Sequence, residues 1–136
     1  MAMTNPWNPE HPTVVVAGWW PNRAPAHHPA SVYVERMWLP LVGPSAICTA
    51  RLLADLIEDS NPDDRIEVDL ADLSAAIGLG AATGANSKIH STLRRLTRFR
   101  CAYWFDDQFE LSMGWRELTT RERDRLPRLA VEGVRS

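Results

Sequence analysis

Six segments between residues 42 and 113 carry the signature of a helix or a strand, and their order restricts the choice of fold. Apolar residues recur on one helical face in three segments, and the other three are short runs with the composition of strands. The order along the chain is helix, strand, helix, helix, strand, strand. The predicted helices span residues 42–60, 70–80 and 87–99, and the predicted strands span 65–69, 101–105 and 109–113. We therefore predict a mainly α fold with a small antiparallel β wing, a winged helix-turn-helix.

The glycine-rich loop between the second and third helices is explained by helix ends. Asp69 is placed to cap the second helix, and Gly78 or Gly80 to end it in the left-handed conformation. Asn86 or Ser87 is placed to cap the third helix. The loop has no Walker A lysine and no G-x-G-x-x-G spacing, and a helix precedes it where nucleotide-binding loops follow a strand. These differences exclude the usual nucleotide-binding loops.

The regions on either side of this domain have different compositions. We divide the chain into a Pro- and Trp-rich arm at 1–37, a winged helix-turn-helix domain at 38–115 and a charged helical tail at 116–136. Six prolines within the first 30 residues disfavour a regular helix or a central strand. The exception is Thr13–Trp20, which we predict as a short strand or a hydrophobic strap over the core, rather than a partner-binding peptide.

The tail begins with a helix-start signal. Thr119 and Glu122 have the spacing of a capping box, which predicts a short charged helix. We interpret the tail as a solvated helical appendage, with a dimer or DNA contact as the alternative.

The helix predicted at 87–99 carries the candidate functional residues. At 100° per residue, Ile89, Leu93 and Leu96 share one face. The opposite face carries Ser87, Lys88, His90, Ser91, Arg94, Arg95 and Arg98. In a helix-turn-helix the start of the second helix faces base edges. We therefore predict base contacts from Asn86, Ser87, Lys88 and Ser91, and phosphate contacts from Arg94, Arg95 and Arg98. His90 is interpreted as a flanking residue. The alternative is a solvated cationic face that contacts nothing.

The net charge of −2 argues against a strongly basic nucleic-acid-binding protein, but the charges are segregated. Residues 55–72 contain eight acids and one base, whereas residues 88–100 contain five bases and no acid. Such segregation steers polyanions toward one side of a molecule. Asp106 and Asp107 in the predicted wing turn argue against DNA binding there, because they would repel phosphate unless the wing is turned away.

Other classes of function lack their sequence signatures. Cys48 and Cys101 are too few for a disulfide scaffold and are interpreted as reduced core thiols. The adjacent His27 and His28 have no further ligand at metal-binding spacing, so no metal site is predicted. The chain has no nucleophile elbow, which leads us to predict neither an enzyme nor a cofactor. No apolar run approaches the roughly 20 residues of a membrane span, so we expect a cytoplasmic protein.

Four segments resemble a family of small winged-helix proteins from actinobacteria and their phages. They are "WLPLVGPSA" (Trp38–Ala46), "VDLADLSAAIGLG" (Val68–Gly80), "TGANSKIHSTLRRLTRF" (Thr83–Phe99) and "RLPRL" near the end. The resemblance covers about residues 38–129. Its members are mostly uncharacterised and are usually labelled only as helix-turn-helix DNA-binding proteins, so the resemblance implies the fold, the TGxNS entry to the recognition helix and a regulatory role. It implies no catalytic residue.

These observations favour a DNA-binding transcriptional regulator that places residues 86–98 in the major groove of double-stranded DNA, with a homodimer as one form. The second hypothesis is a winged-helix module for protein interaction, in which the valine and tryptophan strap meets a partner protein through Trp19 and Trp20.

Overall fold

The computed structural model describes residues 13–61, 65–105 and 108–135, with side chains described through residue 131. The strands are β1 (Thr13–Trp19), β2 (Ile66–Asp69), β3 (Ala102–Phe105) and β4 (Gln108–Ser112). A π-helical turn (Val34–Trp38) leads directly into α1 (Leu39–Val42). The remaining helices are α2 (Pro44–Glu58), α3 (Leu70–Ala76), α4 (Lys88–Arg98), α5 (Thr120–Asp124) and α6 (Arg128–Arg135).

The four described strands form one mixed sheet in the order β2-β1-β4-β3. β1 runs antiparallel to β2, with Val14 opposite Val68, and parallel to β4, with Val16 opposite Phe109. β3 and β4 form an antiparallel hairpin. The segment at 13–19 is therefore a central strand of the sheet.

The predicted fold class is wrong. The protein is mixed α/β, with 46% helix and 19% strand, and not a mainly α winged helix with an N-terminal arm. The physical reason is the insertion of β1 between β2 and β4. Val14 and Val16 are 2% and 0% exposed, so one face of β1 belongs to the core. Of the two predicted alternatives, the short strand is confirmed and the strap over the core is wrong. The prolines of the first 30 residues flank this segment without interrupting it.

The predicted elements between residues 42 and 113 are confirmed as α2, β2, α3, α4, β3 and β4. The caps are confirmed as well. The Asp69 carboxylate accepts hydrogen bonds from the amides of Ala71 and Asp72 at 2.8 and 3.1 Å. Gly78 follows α3 with φ of 79°, in the left-handed region predicted for it.

The core lies between the inner face of the sheet and the helices, with α2 in the middle. Ala50, Leu53 and Ala54 are fully buried on α2, which packs against α4, β1 and β4. β1 approaches α2 so closely that a Cβ on Gly18 would lie 2.8 Å from Cγ2 of Ile57. Glycine is therefore required where the central strand crosses the central helix.

The segment after β4 is fixed to the domain by two tryptophans. The amides and carbonyls of His27 and Trp115 exchange hydrogen bonds of 2.8 and 2.6 Å. Trp115 packs edge to face on Trp38 at 5.4 Å. The Trp38 indole donates to the carbonyl of Arg116, and the Arg116 guanidinium lies 4.8 Å from the Trp38 ring. Trp38 therefore contacts both the backbone and the side chain of Arg116 and fixes its position.

The predicted capping box at the start of α5 is confirmed. The Thr119 hydroxyl accepts from the Glu122 amide, and the Glu122 carboxylate accepts from the Thr119 amide. α5 buries no residue, as expected of a solvated helix, whereas α6 packs against the π-helical turn and buries Ala130.

The two cysteines differ in exposure. Cys101 is buried in the core as predicted, and burial raises the pKa of its thiol. The prediction that Cys48 is a core thiol is wrong, because it lies on the exposed side of α2.

Candidate nucleic-acid interface

α4 is held by its sequence in a fixed orientation on the core. Ser87 adopts an extended conformation, and its hydroxyl accepts a hydrogen bond from the amide of His90 at 3.3 Å, which caps the helix. Ile89, Leu93 and Leu96 are each fully buried. The apolar face predicted from the 100° periodicity is therefore the face that packs on the domain.

Most of the predicted contact residues lie together on the exposed surface of this helix and at its start. They are Asn86, Lys88, Ser91, Arg94, Arg95 and Arg98. Within the described part of the chain, no carboxylate oxygen lies within 4.0 Å of the basic nitrogens of these residues. We call this set the basic face. It carries four cations whose charge is not neutralised by a described ion pair.

Ser87 differs from the other predicted contact residues. Only 9% of its surface is exposed, and its hydroxyl is used in the cap of α4. The Ser87 cap fixes the start of α4, where the neighbouring Asn86 and Lys88 are exposed.

The prediction that His90 lies on the far side of α4 is wrong. Its position at 100° from Ile89 falls at the edge of the core, and the side chain is 5% exposed. Burial lowers the pKa of its imidazole, and the neighbouring Arg94 lowers it further. Both effects favour the neutral form of the imidazole, so we do not count His90 among the cations of the basic face.

Arg95 connects the basic face to the corner between α1 and α2. Its Nη1 donates a hydrogen bond to the carbonyl of Val42 at 3.2 Å. The adjacent Gly43 has φ of 89°, and a Cβ there would lie 3.0 Å from the same nitrogen. One nitrogen of the Arg95 guanidinium is thus hydrogen-bonded within the domain, while the residue as a whole remains exposed.

A second polar contact fixes α4 on α2. The hydroxyls of Thr92 and Ser45 lie 3.1 Å apart, and Thr92 also donates to the carbonyl of Lys88 at 2.8 Å. Sequence reasoning placed neither Thr92 nor the Val42 carbonyl in the site. These contacts hold the basic face without contributing a charge to it.

The predicted wing corresponds to the hairpin of β3 and β4. Its turn residues Asp106 and Asp107 lie outside the described residues, as do the acids Asp63 and Asp64. The repulsion of phosphate by the turn stays a prediction.

Other chemistry has little geometric support in the described residues. His27 Nε2 lies 3.3 Å from a Glu117 oxygen, and His28 Nε2 lies 2.9 Å from a Glu58 oxygen, so the two imidazoles meet different carboxylates. No group of three potential metal ligands occurs in the part of the chain that the structure describes. Among the described helices, none has the length and apolar character needed to cross a membrane.

Comparison of the chain with family models, with curated proteins and with solved structures gives no match in any of the three. The regulatory role implied by the actinobacterial resemblance stays a prediction. The geometry of the basic face is therefore the basis for assigning a function.

Proposed function

We propose that the protein binds double-stranded DNA through the basic face of α4 and acts as a transcriptional regulator. The observation that carries the proposal is the exposed set of four cations on one helix with no described carboxylate nearby. An α-helix fits the major groove of B-DNA, and α4 with its 11 residues is about 16 Å long.

The proposal assigns different tasks to the two ends of α4. Asn86, Lys88 and Ser91 lie near the start of the helix and contact base edges. Arg94 and Arg98 lie one turn apart on the exposed surface and contact phosphates, which orient the helix without reading sequence. Arg95 keeps its bond to the α1 carbonyl and adds a further positive charge.

The test is the binding of fluorescent duplexes at low salt, followed by selection of preferred sequences. Arg94→Gln should weaken binding to every duplex, whereas Asn86→Ala should change the preferred sequence. Arg36→Gln removes an exposed arginine from the π-helical turn and serves as the matched control, with affinity unchanged. Absence of duplex binding by the wild type would sink the proposal.

A second candidate function, protein interaction, is favoured by aromatic side chains on the surface around the sheet. Phe105 is 67% exposed and Trp20 is 52% exposed. Trp19 and Tyr103 pack edge to face at 5.3 Å and line a cavity of about 170 Å³ with Phe105. Val14 and Val16 take no part, because they are buried. Loss of a captured partner in Phe105→Ser, with retention in Arg94→Gln, would support this function.

The homodimer expected from the sequence also stays a prediction. Sedimentation of the free protein and of the DNA complex measures it directly, since a dimer on DNA would bind two half-sites.

A further inference from the structure

A cleft beside the end of α4 combines three arginines with one acid. Its volume is about 320 Å³, and it is lined by Arg98, Phe99, Arg100, Arg116, Thr119 and Glu122. A water molecule takes about 30 Å³ of liquid volume, so the cleft has room for a phosphate group and its hydration water. Arg98 belongs to the basic face as well, so the cleft and the face are continuous.

The acid of the cleft is already neutralised. Arg116 donates two hydrogen bonds to Glu122, at 2.8 and 3.1 Å. The hydrogen bonds from Arg116 lower the pKa of Glu122 to about 2, so the carboxylate stays ionised and paired at physiological pH. Arg98 and Arg100 have no such partner among the described residues and leave two positive charges in excess.

Arg100 occupies a backbone position that favours glycine. The amide of Cys101 donates a hydrogen bond to the carbonyl of Leu96 at 2.9 Å, and the amide of Arg100 donates one to the carbonyl of Thr97 at 3.1 Å. This pair of bonds is the Schellman motif, in which the residue after the helix cap is left-handed. Arg100 is left-handed with φ of 62°, an unfavourable conformation for a residue with a Cβ.

α3 ends in the same motif but uses glycine. The amide of Leu79 donates a hydrogen bond to the carbonyl of Ser74 at 2.8 Å, and the amide of Gly78 donates one to the carbonyl of Ala75 at 3.0 Å. Gly78 has φ of 79°. The chain thus has glycine at the position where the backbone prefers it in α3, and arginine at the equivalent position in α4. An unfavourable backbone state at a cationic cleft is a reason to look for a ligand.

The negative end of the α4 dipole does not counteract these charges strongly. The carbonyls of Arg95, Leu96 and Thr97 each accept a hydrogen bond from an amide that follows the helix. The carbonyl of Arg94 accepts from the Thr97 hydroxyl at 2.7 Å. Three of the last four carbonyls of α4 are therefore hydrogen-bonded, which weakens the negative end of the helix dipole beside the guanidinium groups.

We propose that this cleft binds a phosphate group, and that its source is the DNA backbone next to the end of α4. Arg98 and Arg100 contact the phosphate oxygens, and Arg116, fixed by Glu122 and Trp38, supplies the third guanidinium. The proposal rests on the proposed function and extends the contact surface beyond the basic face.

The decisive variant is Arg100→Gly, because it removes the guanidinium and relieves the backbone at the same time. Its melting temperature should equal or exceed that of the wild type. Its affinity for duplex DNA should fall about tenfold, as expected for loss of one charged contact. The slope of log affinity against log salt should become less steep by about 0.9. Arg98→Gln should have the same effect on binding, and Arg36→Gln should have none.

Two results would overturn the inference, and each can be told apart from failure of the proposed function. If Arg94→Gln and Arg98→Gln weaken duplex binding while Arg100→Gly does not, the basic face binds DNA and the cleft does not. If the wild type binds no duplex, the cleft is tested with pyrophosphate. A rise in melting temperature that Arg100→Gly abolishes would then keep the phosphate site and replace its source, whereas no rise would eliminate the site.

Discussion

Replacement of Val16 by alanine tests the place of β1 at the centre of the sheet. The Val16 side chain is fully buried and lies beside Phe109 of β4 and Ile66 of β2. Removing two methyl groups forfeits about 1.6 kcal/mol of transfer free energy. The cavity left in a core that cannot fully collapse raises the loss to about 2–3 kcal/mol. This is a large part of the roughly 5–15 kcal/mol by which a domain is stable.

The matched control is Val15→Ala on the same strand. Val15 points to the other face of the sheet and is only partly buried, so its loss should remain below about 1 kcal/mol. Both variants lower β propensity equally, which leaves core burial as the difference between them. Urea unfolding followed by circular dichroism gives the two free energies. Equal values within about 0.5 kcal/mol would refute the central position of β1.

Three further predictions follow from single contacts. Arg95→Gln should lower the free energy of unfolding by about 1 kcal/mol in chemical denaturation, because it breaks a bond to the α1 corner, whereas Arg94→Gln should leave stability unchanged. Glu122 has its pKa lowered from 4.5 to about 2, so its pairing stabilises the fold fully above pH 4.5 and loses this effect as pH falls toward 2. The stability difference between wild type and Glu122→Gln should shrink over that interval in acid titrations, and a constant difference would contradict the assignment. In thiol labelling of the native protein, Cys48 should react and Cys101 should react only after unfolding, since Cys101 is 2% exposed and its pKa is raised.

Local signals made the elements from α2 to β4 predictable. Asp69 and Gly78 act within one turn of a helix, so their caps can be recognised from neighbouring residues. The position of β1 could not be recognised in this way, because Val15 pairs with Gln108, far along the chain. No local pattern specifies a parallel pairing between such distant segments. The prolines that flank this segment then favoured its interpretation as part of an N-terminal arm, which is wrong.

The basic face was predictable because it depends only on local helix geometry. At 100° per residue, Leu93 falls on the apolar face of α4 and Arg94 on the polar face. The burial of His90 was not, because a residue at the edge of the apolar face is decided by its neighbours in space. The bond from Arg95 to Val42 depends on the corner between α1 and α2. The left-handed backbone of Arg100 had a weak sequence signal: only three residues separate the end of α4 from the start of β3, which requires a sharp change of chain direction.

The salt dependence of duplex binding by the wild-type protein tests the central claim most directly. The proposed phosphate contacts are four: Arg94 and Arg98 of the basic face, and Arg100 and Arg116 of the cleft. Each contact contributes about −0.9 to the slope of log affinity against log salt, so a slope of about −4 is expected between about 50 and 200 mM salt. A slope near zero, or no binding at the lowest salt, would contradict the assignment of α4 as a DNA-binding helix.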